Sequence, residues 1–233
     1  MRAVVLAGGA GLRLRPYTTV LPKPLVPVGD RPVVEHILYR LAAAGVADVH
    51  LCVGHLGGLI QAYFSEEANR PRDLRLHWHW EHRPLGTAGA LRSVEGLQET
   101  FLAVNGDVLT TVEFRDLVDF HRAQDATLTI ATGRKRVELG LGVLSVDRHD
   151  VVDYREKPAL EYVASLGIYV YEPRVLEHIP EGTCQFPDLV RHLLAAGERV
   201  AAFPTDGETF DIGTVDEHRR ASEALVSRPE DFR

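Results

Sequence analysis

Residues Ala3 to Ala7 form a short apolar run that empties into Gly8, Gly9 and Gly11, with Arg13, Arg15 and Lys23 close behind. Glycines at the end of a strand let backbone N–H groups approach an anion, because no Cβ stands in the way. The cations then neutralise what the loop holds, so the layout suits a polyphosphate. A tight turn edged by surface arginines has the same composition. Two phosphate-loop patterns are absent. The P-loop needs a second Gly followed by Lys and Ser or Thr, and the dinucleotide fingerprint needs a third Gly where Leu14 stands.

Asn105-Gly106-Asp107 sets a carboxylate just beyond another apolar run, and Phe210-Asp211-Ile212-Gly213-Thr214 repeats the arrangement. Either aspartate alone reads as a turn or a cap. Beside a phosphate loop the pair suits Mg²⁺, a hard cation bound by one or two carboxylates and substrate phosphates. Of 26 basic residues only Lys23, Lys135 and Lys157 are lysines. Lysine is a compact point charge and arginine a planar fork, so a site shaped for one does not accept the other. Lys23 and Lys157 each precede a proline, in Pro22-Lys23-Pro24 and Glu156-Lys157-Pro158, and are read as chosen for chemistry. Lys135, inside Arg134-Lys135-Arg136, reads as a solvated charged turn.

Strands and helices alternate through the first half. The pattern predicts strands over 48–53, 74–80 and 101–105, and helices over 32–44, 58–64 and 113–124, with Gly86-Thr87-Ala88-Gly89 opening a short one. The second half is richer in strands (126–132, 141–146, 151–155, 164–171). A helix is expected from Pro187 to Ala196, and a last one after Thr214, capped with Glu217. This predicts a single α/β domain, a Rossmann-like three-layer sandwich with a mixed, mostly parallel sheet. Ligands gather at the carboxyl ends of such strands, where the glycine loop, Glu81–Gly86 and Asp107 all fall. His77 and His79 read as one face of a half-exposed strand rather than metal ligands, and Tyr169 and Tyr171 as sheet packing.

The composition of the 233 residues, 45% hydrophobic and 25% charged, is that of a soluble globular domain. A net charge of −7 argues against nucleic acid as a partner. Positive charge is local: Arg2, Arg13, Arg15, Lys23 and Arg31 face Asp30 alone in the first 31 residues. No run reaches membrane-span length and no leader is visible, so no membrane is expected. Cys52 and Cys184 have no CxxC spacing and read as buried free thiols, with the cytoplasm the default compartment.

The ordered set Leu6-Ala7-Gly8-Gly9-Ala10-Gly11-Leu12-Arg13-Leu14, Pro22-Lys23-Pro24-Leu25, Gly86-Thr87-Ala88-Gly89, Asn105-Gly106-Asp107, Glu156-Lys157-Pro158, Gly167-Ile168-Tyr169 and Asp211-Ile212-Gly213 resembles the sugar-1-phosphate nucleotidyltransferases. It runs from residue 3 to about residue 220. Leu12 replaces that family's usual Thr, and Ser165-Leu166-Gly167 its frequent Asn-Ala-Gly. The resemblance implies the nucleotide-diphospho-sugar transferase fold, with a nucleotide-binding part over about 1–125 and a sugar-phosphate-binding part over about 126–233. Some relatives carry a C-terminal left-handed β-helix, which is not expected here because the sequence ends soon after its last motif. The resemblance also implies Mg²⁺-dependent attack of a sugar- or cyclitol-1-phosphate on the α-phosphorus of an NTP. Arg13 and Lys23 would then be catalytic, and Asp107 and Asp211 metal ligands. Leu6, Ala7, Gly8, Gly9, Gly11, Glu81, Gly86, Thr87 and Ala88 would line the nucleotide. Gly142, Glu156, Lys157, Ser165 and Gly167 would meet the sugar phosphate. Relatives often form dimers or tetramers, which leaves a homodimer open.

Glu81-His82-Arg83-Pro84-Leu85-Gly86 resembles the mannose-1-phosphate guanylyltransferase-like branch. A carboxylate at Glu81 would accept from the two adjacent donors of guanine, whereas uracil and thymine offer one donor flanked by acceptors. GTP is therefore preferred, with dTTP, UTP and CTP open. Three other readings stay in view. A non-catalytic nucleotide-sugar sensor would be expected to lack the loop arginine, the Pro-Lys-Pro lysine or a metal aspartate. A glycosyltransferase would be expected to carry Asp-x-Asp, where Asp107 is followed by Val108 and Leu109. A relative that activates phosphocholine or another non-sugar phosphate has no distinguishing mark here.

Overall fold

The structure, a computed structural model, describes residues 1–232. β1 (Arg2–Ala7) is buried on both faces, as its unbroken apolar run requires. Three single 3-10 turns, Leu12–Leu14, Tyr17–Thr19 and Lys23–Leu25, lead to a small hairpin of β2 (Pro27–Val28) and β3 (Arg31–Pro32). α1 (Val33–Ala43), β4 (Asp48–Val53), α2 (Gly57–Ser65), β5 (Arg75–Trp80) and the one-turn α3 (Gly86–Gly89) follow. Next come β6 (Phe101–Asn105), β7 (Val108–Thr110) and α4 (Phe114–Gln124). The second half adds β8 (Leu128–Glu138), β9 (Val143–Asp147), β10 (Asp150–Arg155) and β11 (Ala159–Tyr171). It closes with α5 (Phe186–Ala195), β12 (Val200–Pro204), β13 (Thr209–Asp211) and α6 (Val215–Ser227).

One seven-stranded sheet organises these elements in the order β12-β8-β11-β6-β1-β4-β5. All its strands are parallel except β11, which runs against both β6 and β8. Alternate residues of β1 feed different cores. Val5 meets α1, α2 and α4 on one face, and Val4 meets α3 and α5 on the other. In α1, Val33, Val34, Ile37, Leu38 and Leu41 recur at helical spacing and are buried. Each such side chain contributes about 1.5–3 kcal/mol over its exposed state. A third, smaller core lies under α6. There Ala221, Ala224 and Leu225 pack with Leu14, Val28, Leu109, Phe210 and Ile212. Thr214 caps this helix by accepting from the Glu217 N–H at 3.2 Å.

Two features depart from the sequence pattern. β8 and β11 run past the expected limits of 132 and 164 and pair as the stem of an arm, which β9 and β10 extend. Residues 134–163 are almost wholly exposed, so no buried face imposed a period-2 pattern. β7 and β12 also went unpredicted, since three- to five-residue strands carry too little periodicity. Both cysteines are free and buried, and burial pushes the Cys52 thiol up to about 12. No helix among the described residues is long and apolar enough to cross a membrane.

His77 and His79 lie on one face of the edge strand β5. His77 Nε2 is 2.9 Å from Asp48, and His79 Nε2 is 2.9 Å from His50 Nδ1. His50 is buried. Desolvation, followed by the charges of His77 and His79, lowers its pKa to about 4. Burial is also the leading cause of lowered values at His36, His79 and His121. An unfolded histidine titrates near pH 6.5, so below that value the unfolded chain binds more protons. The stability these groups allow is complete above about pH 6.5 and is lost as pH falls toward 4. Denaturant midpoints measured from pH 7 down to pH 5 should fall steadily, and His50→Phe should flatten the slope. An unchanged slope in that variant would contradict the assignment.

Candidate active site

Because β1, β4, β5 and β6 run parallel, their carboxyl ends meet along one edge, and a cleft of about 590 Å³ opens there. Leu6 and Ala7 end β1 and line it, followed by Gly8 and Gly9. Close packing explains the glycines after three neighbouring strands. A Cβ on Gly54 would lie 2.9 Å from the Gly8 carbonyl oxygen, and one on Gly106 3.0 Å from that of Leu6. A Cβ on Gly8 would strike the Glu81 carboxylate, whereas Gly9 has open space above it. Gly11 serves the loop differently. Its φ is +59°, its carbonyl accepts from Thr18 Oγ1 at 2.7 Å, and it packs against Thr18 and Lys23 outside the cleft lining.

The four charged residues singled out by the sequence converge. Lys23, whose side chain is 11% exposed, donates to Asp107 and, at 2.9 Å, to Asp211 Oδ1. Arg13 Nη2 lies 3.5 Å from Asp211 with both side chains largely exposed, a weak pair by itself. Strand pairing brings the aspartates together. β13 runs antiparallel to β7 with Asp211 opposite Val108, and the Ile212 N–H donates to the Asp107 carbonyl at 2.9 Å. Two carboxylates sharing one cation form a hard-oxygen donor set that fits Mg²⁺. No third carboxylate, histidine or cysteine joins them among the described residues, so substrate oxygens and water would complete the ion's shell.

At the far side Glu81 reaches back over Gly8, and its Oε2 accepts from the Leu85 N–H at 3.2 Å. Burial raises the Glu81 pKa above the ordinary carboxylate value. Gly86 and Thr87 line the cleft, while Ala88 is buried behind it. The N–H groups of Ala88 and Gly89 donate to the Cys184 carbonyl at 3.1 and 3.0 Å, and Thr87 Oγ1 accepts from the Phe186 N–H at 2.9 Å. These bonds tie α3 to the start of α5. Sequence reasoning did not assign His55, His82, Arg83 or Gln185, which also line the cleft. The first three follow β4 and β5 directly, so the strand-end rule was the signal available. Gln185 arrives through the α3–α5 contact.

The residues assigned to the sugar phosphate fall into two groups. Gly167, at φ +75°, is so close to Asn105 that a Cβ would lie 2.7 Å from its Nδ2. Ser165 Oγ reaches the buried Tyr169 hydroxyl at 3.5 Å, and Tyr169 also packs on Phe186. Gly142, Glu156 and Lys157 stand on the exposed arm instead. Tyr154 donates to Glu156 and lies directly over Gly142. No residue of the arm lines the cleft.

The protein family described as Nucleotidyl transferase matches residues 2–228, and the chain belongs to it. Along 96% of its length the chain is 34% identical to mannose-1-phosphate guanylyltransferase of Mycobacterium tuberculosis, covering 64% of that protein. It is 31% identical along 98% of its length to the UTP–glucose-1-phosphate uridylyltransferase of Synechocystis sp., again covering 64%. The chain thus spans somewhat under two thirds of these curated relatives. Among solved structures, HddC from Yersinia pseudotuberculosis complexed with GMP-PN superposes with a TM-score of 0.73 at 23% identity, covering 96% of this chain and 99% of that one. A UDP-glucose pyrophosphorylase complexed with UDP-glucose gives 0.76 at 20% identity, covering 97% and 98%. These likenesses establish the fold as the single-domain, Rossmann-like nucleotidyltransferase type.

Two glycines separate scaffold from cradle. Gly86 has φ +77°, and a Cβ there would meet the Cys184 carbonyl. Gly86→Ala should cost about 2 kcal/mol or more in a denaturant titration. Gly9→Ala has room, so its stability should stay within about 0.5 kcal/mol of the parent, while its NTP affinity in a binding titration should fall.

Proposed function

We propose that this chain catalyses Mg²⁺-dependent transfer of a nucleotidyl group from an NTP, GTP by preference, to a sugar- or cyclitol-1-phosphate. The observation that carries this reading is the meeting of Arg13, Lys23, Asp107 and Asp211 beside the glycine-lined end of the cleft. A phosphate oxygen of the acceptor forms a bond to the α-phosphorus. The bond from that phosphorus to the bridging oxygen breaks, and its electron pair leaves on pyrophosphate. A sugar phosphate is already an anion at pH 7, so no general base is needed. The barrier lies in bringing two anions into line and stabilising the leaving group.

Lys23 would neutralise the α-phosphate, and Arg13 the β- and γ-phosphates as pyrophosphate departs. Mg²⁺ held by Asp107 and Asp211 would supply further charge neutralisation to the phosphate oxygens. The acceptor would lie toward Ser165 and Gly167, where the arm joins the sheet beside Asn105. Lys157 would grip its phosphate and Glu156 its hydroxyls from the arm. The preference for GTP rests on Glu81, whose two oxygens suit the paired N1–H and N2–H donors of guanine. Relatives named for guanylyl and for uridylyl transfer both match the chain, so similarity alone does not choose the base.

The test is a matrix of four NTPs against a panel of sugar- and cyclitol-1-phosphates, scored by pyrophosphate release. GTP should give the highest kcat/KM, and EDTA should abolish turnover. Lys23→Ala and Asp107→Ala should each lower kcat by about 10²-fold or more, the scale of a lost charge-stabilising contact. Near-normal turnover in either folded variant would overturn the assignment, and equal use of UTP would end the preference for guanine. Product binding without any pyrophosphate release would favour a nucleotide-sugar sensor.

A further inference from the structure

We infer that Arg83 reads the O6/N7 edge of guanine and so completes, with Glu81, a base-recognition pair at the end of β5. This rests on the reading that the cleft takes an NTP. Arg83 is exposed, lines the cleft, and has no hydrogen-bond or ion-pair partner among the described residues. Glu81 stands two residues earlier with an opposite charge, yet the two do not pair. The one hydrogen bond its carboxylate makes among the described residues is from the Leu85 N–H. A free donor fork and a largely free acceptor therefore face the same space.

The segment that carries them is pinned on both sides. The Glu81 N–H donates to the Val53 carbonyl at 2.8 Å and continues the parallel ladder. Thr183 Oγ1 donates to the Pro84 carbonyl at 2.9 Å, and the Cys184 N–H to that of Leu85 at 2.8 Å. The backbone that carries the pair is thus held by its neighbours before any ligand arrives.

Position identifies what the pair meets. The phosphate anchors hang from β1 and β6, while β5 lies at the sheet edge beyond β4. At about 4.8 Å per strand, β5 is roughly 10 Å from β1 and 14 Å from β6, which is the base end of a nucleotide whose phosphates lie at Lys23. Guanine alone among the common bases offers two adjacent donors, N1–H and N2–H, next to two adjacent acceptors, O6 and N7. Arginine spans those acceptors bidentately, and carboxylates take such donors. Uracil and thymine present one donor between acceptors, and adenine and cytosine one amino group.

The experiment is equilibrium binding of GTP, 7-deaza-GTP, ITP and UTP, with Mg²⁺, to the parent chain, Arg83→Ala and Arg83→Lys. The parent should bind GTP roughly tenfold tighter than 7-deaza-GTP, about the lower end of one bidentate contact. Arg83→Ala should bind those two equally while still preferring GTP to ITP, the discrimination assigned to Glu81. Arg83→Lys should not restore the fork. A GTP to 7-deaza-GTP ratio unchanged in Arg83→Ala overturns the inference, as does full function in Arg83→Lys or an equal loss for all four nucleotides, which would mean a phosphate contact. Binding of UTP as tight as GTP overturns guanine recognition and leaves nucleotide binding standing. No binding of any nucleotide overturns the underlying reading itself.

Discussion

The site depends on one ammonium group held between two carboxylates. Lys23 bonds Asp107 from the end of the sheet and Asp211 from a segment more than a hundred residues later. Partial burial makes the arrangement demanding. Lys23 is the most buried member, and a buried ammonium left without an anion would cost several kcal/mol. Arg13 adds an exposed and therefore weaker contact to the same aspartate. Lysine suits the central place because a compact ammonium can meet two carboxylates at once. Lys23 and Arg13 together balance the two carboxylates, so a further cation would be held with the help of substrate phosphate oxygens.

The rest of the fold holds that contact in place. β13 pairs with β7, and the small core under α6 seals the pairing from behind with Leu109, Phe210 and Ile212. Leu14 joins that core directly after Arg13, so the loop arginine and the second aspartate are positioned by one cluster of apolar contacts. The large sheet supplies the fixed edge from which Asp107, Gly8 and Glu81 project. The arm differs in kind. Its strands pair with each other but bury almost nothing beyond Leu166 and Tyr169 at its root, so backbone ladders alone set its shape.

How much of this was legible depended on whether a signal was local. The glycine loop and the carboxylate after Asn105-Gly106 were readable because glycine and strand ends mark themselves. The scarcity of lysine pointed to Lys23, which proves to be central, and to Lys157, which stands on the arm. Helices with a clear apolar stripe, such as α1, were readable almost to the residue. The β7–β13 pairing was not, although it places Asp211, because three-residue strands show no periodicity and their partners are distant in sequence. For the same reason nothing local separated Gly9, which faces the cleft, from Gly11, which supports the loop, or Thr87 from the buried Ala88. His55, His82 and Arg83 look like ordinary surface residues until the parallel sheet aligns their strand ends.

Charge also gives the cleft a direction. Its β1–β6 side carries Lys23, with Arg13 nearby on Asp211, and its β5 side carries the Glu81 carboxylate above Gly8. A negative group in a cleft suited to a polyanion looks self-defeating, and burial already makes Glu81 harder to ionise. The size of the conflict depends on distance. At an effective dielectric of about 20, a phosphate charge about 4 Å from Glu81 would be repelled by about 4 kcal/mol, whereas at roughly 10 Å the figure falls below about 2 kcal/mol. A nucleotide entering backwards therefore meets the larger penalty for its triphosphate and finds no donors for the carboxylate. On the proposed reading, a nucleotide entering forwards would put its charge on Lys23 and its hydrogen-bonding edge on Glu81, so that one carboxylate would select the orientation of the ligand as well as its base.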